Sequence, residues 1–93
     1  MATTATPWGP TTVVEELVVP QRAGAKRFAT RVELLEGESG RLVRFSYTTG
    51  GAVRRGPVTL RERDLAKLAS LLGRAPQLHA ALAQFATEAA MDA

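Results

Sequence analysis

Residues 26–72 read KRFATRVELLEGESGRLVRFSYTTGGAVRRGPVTLRERDLAKLASLL, and this stretch decides the fold. Its first part alternates with the period of two that a half-buried strand requires. Over residues 26–36, Phe28, Thr30, Val32 and Leu34 share one face, and Arg27, Ala29, Arg31 and Glu33 share the other. A GESG turn follows. Over residues 41–49, Val43, Phe45 and Tyr47 oppose Leu42, Arg44, Ser46 and Thr48. Gly50-Gly51 suits a two-residue hairpin turn, because both residues accept positive φ. Residues 52–58 read as a third hairpin strand, interrupted at Gly56-Pro57 because proline cannot donate to the ladder. The pattern places Phe28, Val32, Val43, Phe45 and Tyr47 toward the core and the arginines toward solvent.

After these strands the period changes. Thr59 and Glu62 form a T-x-x-E capping box, and Leu65, Leu68, Ala69 and Leu72 then fall on one helical stripe. Gly73 is the expected stop, and Pro76 opens a second helix with Leu78, Leu82, Phe85 and Ala89 on its apolar side. Upstream, residues 12–19 (TVVEELVV) read as an edge strand ending at Pro20, and residues 21–25 as a loop. Residues 1–10 read as a flexible tail. Its Trp8 is expected to fold back onto an apolar surface rather than to stack on a ligand. Strands followed by helices give an α+β class. The expected fold is an antiparallel four-stranded sheet followed by one or two C-terminal helices packed on one face, in a single domain over residues 11–90.

The 93 residues carry a net charge of +3, a modest excess that identifies no partner by itself. Its distribution is more telling. Eight Lys or Arg fall between residues 22 and 55, opposed there only by Glu33, Glu36 and Glu38, while residues 1–20 and 76–93 hold no Lys or Arg. Four arginines on one sheet face (Arg27, Arg31, Arg44 and Arg54) repel one another unless an anion meets them, and arginine both forks onto phosphate and stacks on bases. Lys26, Arg41 and Arg55 add to the same region, and Tyr47 stands near a strand end where a base could stack.

Catalytic chemistry finds no support. His79 is the only histidine, with alanines at i+4 and i+7, and there is no cysteine, so neither an activated nucleophile nor a transition-metal site is expected. Gly50-Gly51 lacks the Lys-Ser/Thr of a phosphate loop. No enzyme activity, cofactor, metal or small-molecule substrate is expected. Without a leader-like N-terminus or a long apolar run, the expectation is a cytoplasmic protein with no membrane partner. The small size and the apolar helices suggest a homodimer.

The text RRGPVTLRERDLAKLASLL at residues 54–72 resembles the C-terminal half of the transcriptional positive-cofactor-four family, and the strand–turn–strand order upstream is similar. The resemblance implies a curved antiparallel sheet backed by a helix, dimerisation through the helices, and single-stranded DNA held across basic strands. Arg54 and Arg55 match the family's basic pair before the glycine, and Arg41 the base opening the second core strand. The stretch VRFSY departs from the acid–Ile–Arg motif usual there, and Pro57 is one residue extra. The expected nucleic-acid contacts are Lys26, Arg27, Arg31, Arg41, Arg44, Tyr47, Arg54 and Arg55. The expected dimer contacts are Leu65, Leu68, Leu72, Leu82 and Phe85. RNA as substrate, and a protein-interaction module binding no nucleic acid, remain as alternatives.

Overall fold

The computed structural model describes residues 3–50, 52–53 and 56–92, with side chains for 3–50 and 56–84. Six strands and two helices follow one another: β1 (Thr3–Thr6), β2 (Gly9–Ala23), β3 (Lys26–Gly37), β4 (Gly40–Thr49), β5 (Ala52–Val53), β6 (Val58–Arg61), α1 (Glu62–Leu71) and α2 (Pro76–Asp92), with a 3-10 turn at Leu72–Arg74 between the helices. The chain forms two compact units, Met1–Glu62 and Arg63–Ala93.

All strand pairs are antiparallel, in the order β1-β2-β3-β4-β5, with β6 also paired to β4. The hairpin strand expected to break at Gly56-Pro57 is present as β5 and β6 on one edge of β4. The sheet therefore has five strand positions, one more than the four expected. The addition is β1, which arises from the segment read as a flexible tail. Thr3, Thr4 and Thr6 are β-branched, and Pro7-Trp8 makes a tight turn, so Thr6 pairs with Gly9 and Thr3 with Thr12. The expected strand over 12–19 runs instead from Gly9 to Ala23, passing through Pro20. Beyond Thr12 its outer side carries no described partner, so the missing N–H of Pro20 is tolerated there. Thr59 is paired with Arg44 inside β6 and does not cap α1.

The alternation of β3 and β4 is as expected, but the buried side is the other one. Leu35 and Leu42, directly paired across the strands, are 0% and 1% exposed, and Thr11, Glu33, Ser46 and Thr48 are buried with them. Phe45 and Tyr47, expected in the core, are 40% and 43% exposed. Curl explains the inversion. In a flat sheet β1 and β4 lie three strand spacings apart, about 14 Å. Here Arg44 Nη1 donates to Thr4 Oγ1 at 2.9 Å, and the Arg61 guanidinium lies 5.0 Å from the centre of the Trp8 ring. Both contacts close over the side that bears Leu35, Leu42 and Arg44, which is thus the concave side.

The curl relies on close approach at the start of β2. A Cβ on Gly37 would stand 2.9 Å from the Pro10 carbonyl oxygen and 2.9 Å from Thr11 Cγ2, so only glycine lets β3 pass there. In the helical unit, α1 buries none of its residues, and Leu68, Leu71, Leu78 and Leu82 are exposed.

Candidate functional site

The register assigns every charged strand residue to a side. The concave side carries Arg22, Arg27, Arg31, Arg44 and Arg61 against Glu16 and Glu33. The convex side carries Lys26 and Arg41 against Glu15 and Glu36, with Leu17, Val19, Val32, Val43, Phe45, Tyr47 and Val58 between them. The sheet thus has a cationic polar hollow and a neutral apolar back.

Within the hollow the arginines are not equivalent. Arg44 Nε donates to Glu33 Oε1 at 2.9 Å, and its Nη2 lies 2.8 Å from the same oxygen. Glu33 is 3% exposed, so this is a buried, hydrogen-bonded ion pair. Arg31 Nε stands 3.6 Å from Glu16 Oε1, an ion pair too long for a hydrogen bond. That Nε and the Oγ of Ser46, its direct cross-strand neighbour, are buried polar atoms with no hydrogen-bond partner. Two of the four arginines expected to share an open face are thus engaged by glutamates of the same sheet.

Arg22 and Arg27 pair across the β2–β3 hairpin near its tip, where both are exposed. Arg22 Nε donates to the Gly24 carbonyl at 3.1 Å, and among the described residues neither arginine pairs with a carboxylate. Lys26 lies one position away on the convex side. Arg41 is also convex and pairs with Glu36 at 3.2 Å, both more than half exposed. Tyr47 stacks obliquely on Phe28, ring centres 5.2 Å apart and planes at 58°. Arg54 and Arg55 lie outside the described residues. Of the expected dimer contacts, Leu65 and Leu72 are half-buried and Leu68 and Leu82 exposed, while the side chain of Phe85 is outside the described set.

Trp8 and Arg61 were absent from the expected contacts. Trp8 occupies the β1–β2 turn, its N–H donating to Thr6 Oγ1 (3.1 Å) and its carbonyl accepting from Ser39 Oγ (3.3 Å). The signal for this turn lay in the sequence, since Pro7 and Gly9 flank Trp8 between two threonine-rich runs. Next to Trp8 opens a cleft of about 460 Å³, lined by Thr6, Pro7, Trp8, Arg44, Pro57 and Thr59 among others.

Among the described residues no group of His, Cys, Asp or Glu is placed to hold a metal ion, and no helix is long and apolar enough to cross a membrane. Protein-family models, curated proteins and solved structures were compared with the chain, and none matches it.

Proposed function

We propose that this chain binds single-stranded nucleic acid, DNA in the first instance, without a catalytic step, and that it works as a homodimer in transcription or DNA maintenance. The observation that carries this reading is the sidedness of the sheet. Its excess positive charge lies on the concave side, with Arg22 and Arg27 exposed at the β2–β3 hairpin tip, while its back is neutral and apolar. The hollow suits a polyanion, and the back suits a second copy of the chain. The resemblance of residues 54–72 to the positive-cofactor-four family points the same way.

Contacts are weighted differently from the sequence expectation. Arg22 and Arg27 at the hairpin tip supply phosphate neutralisation, because no carboxylate among the described residues pairs with them. Arg31 and Arg44 serve the sheet first. Labelled single- and double-stranded oligonucleotides, DNA and RNA, titrated at two salt concentrations test the proposal. We expect the single strand to bind more tightly and its log K to fall by about 0.7 per phosphate neutralised as log salt rises. Arg22→Ala with Arg27→Ala weakens binding and flattens that slope while the circular dichroism stays unchanged. Equal, weak and salt-insensitive signals for every oligonucleotide refute the proposal.

A protein-interaction module is the second reading. Leu17, on the convex side, is 71% exposed, and the outer edge of β2 beyond Thr12 has no described partner, which is a template for strand addition. A chain that binds no oligonucleotide at low salt, yet self-associates or holds one protein partner after nuclease treatment, favours this reading.

A further inference from the structure

We infer that the cleft beside the β1–β2 turn seats one base of the bound strand, with the Trp8 indole as its stacking platform. The inference rests on the nucleic-acid reading and adds a subsite to it.

The cleft, about 460 Å³, falls within the range of about 300–1,000 Å³ usual for ligand sites. Pro7 and Pro57 give it flat, rigid, apolar walls, and Thr59 brings a hydroxyl. Trp8 is held before any ligand arrives. Its backbone N–H and carbonyl are both hydrogen-bonded, and Arg61 lies against its ring. A platform fixed in this way loses little freedom when a base stacks on it, so most of the stacking energy remains as affinity. Arg61 takes one face of the indole, and the base takes the other.

Arg44, also part of the lining, supplies hydrogen bonds rather than net charge. Glu33 compensates its charge, and Glu33 and Thr4 engage three of its five N–H groups. The remaining two can meet a base carbonyl. Recognition in this cleft is therefore by stacking and neutral polar contact, unlike the phosphate contacts at the hairpin tip. Its contribution to affinity does not depend on salt.

Trp8 is the only tryptophan of the chain, so its emission reports on this cleft alone. A labelled oligothymidylate is titrated into the full chain at several salt concentrations, following label anisotropy and indole emission together. We expect indole quenching to saturate with the anisotropy. Trp8→Ala should weaken binding by about 5- to 150-fold, the value of one stacked base, with the salt slope unchanged. Trp8→Phe should keep most of the affinity. Circular dichroism melts establish that each variant is folded, and if Trp8→Ala is not, the wild-type quenching decides. Anisotropy binding with unquenched wild-type emission, or with a folded Trp8→Ala of undiminished affinity, overturns the subsite and leaves the nucleic-acid reading standing. No anisotropy change at any salt overturns both.

Discussion

Removal of Glu33 is the sharpest test of how the concave side is held together. Glu33 is 3% exposed, and the Arg44 side chain it holds is 12% exposed. Glu33→Ala leaves a guanidinium in a largely dry site with Thr4 Oγ1 as its remaining partner. Breaking a buried pair from one side costs about 3–5 kcal/mol. The partial exposure of Arg44 and its bond to Thr4 argue for the lower end, about 3 kcal/mol, or roughly a 150-fold change in the folding equilibrium. A sheet unit of this size has a total stability of only about 3–9 kcal/mol, so the variant sits near the folding threshold. At about 4–8 °C per kcal/mol, its thermal midpoint falls by about 12–24 °C. Circular dichroism melts and urea titrations read both quantities. Glu33→Leu combined with Arg44→Leu should recover most of the loss, because no unpaired charge then remains. Glu36→Ala is the internal control. Its pair with Arg41 is more than half exposed on both sides, so it should cost no more than about 1 kcal/mol. A Glu33→Ala protein within about 0.5 kcal/mol of the parent refutes the reasoning.

Two further substitutions probe the same side. Gly37→Ala should destabilise by about 1–3 kcal/mol in urea titration, because one of the two atoms its Cβ meets at 2.9 Å is the backbone oxygen of Pro10, which yields only if β1–β2 shifts. Ser46→Ala should leave stability unchanged or raise it slightly, since its buried hydroxyl has no partner to lose. A loss of more than about 1 kcal/mol on that substitution indicates that the hydroxyl and Arg31 Nε are bridged in solution.

Four of the five strand positions, their antiparallel order and the two helices were legible because period-two alternation, paired glycines and a Gly-x-x-Pro break are local signals, whereas β1 was read as a tail. Which side of the alternation is buried was not, and the reason is physical. Each side of β3 and β4 carries both apolar and polar residues. Leu35 and Leu42 on one side compete with Val32, Val43 and Phe45 on the other. Side-chain hydrophobicity alone favours the second set. The outcome turns on β1, whose four residues close the hollow through Thr4, and on the Trp8 turn that meets Arg61. Neither contact leaves a mark in a window of ten residues, because Thr4 and Arg44 are forty positions apart. The same blindness affected the candidate site. Arg31 and Arg44 were read as solvent-facing because arginine is rarely buried unless paired. Their glutamate partners, Glu16 and Glu33, come from different strands and meet them only once the register is set.

The inversion of the sheet changes what each arginine can do, and this separates structural from binding roles without any appeal to similarity. A guanidinium that already spends three N–H groups on a buried carboxylate and a threonine cannot leave them for phosphate without exposing Glu33 to an unpaired, buried state. Its contact with a strand must be additional, made with the donors left over. On the proposed reading, a guanidinium at the exposed hairpin tip gives up water, counterions and, for Arg22, one bond to the Gly24 carbonyl when phosphate arrives, and the counterion release drives binding. On the proposed reading, Arg22 and Arg27 set how binding responds to salt, Arg44 sets whether the hollow exists, and Trp8 sets how tightly one base is held within it. The three roles are read by three different quantities: a salt slope, a melting midpoint and a salt-independent shift in affinity. A single set of variants measured on all three axes separates them. The apolar back of the sheet stands outside this scheme, because Leu17, Phe45 and Val58 point away from the hollow. Under the proposed function, a second copy covering that back would leave the concave side uncovered, so self-association and nucleic-acid binding do not compete for the same surface.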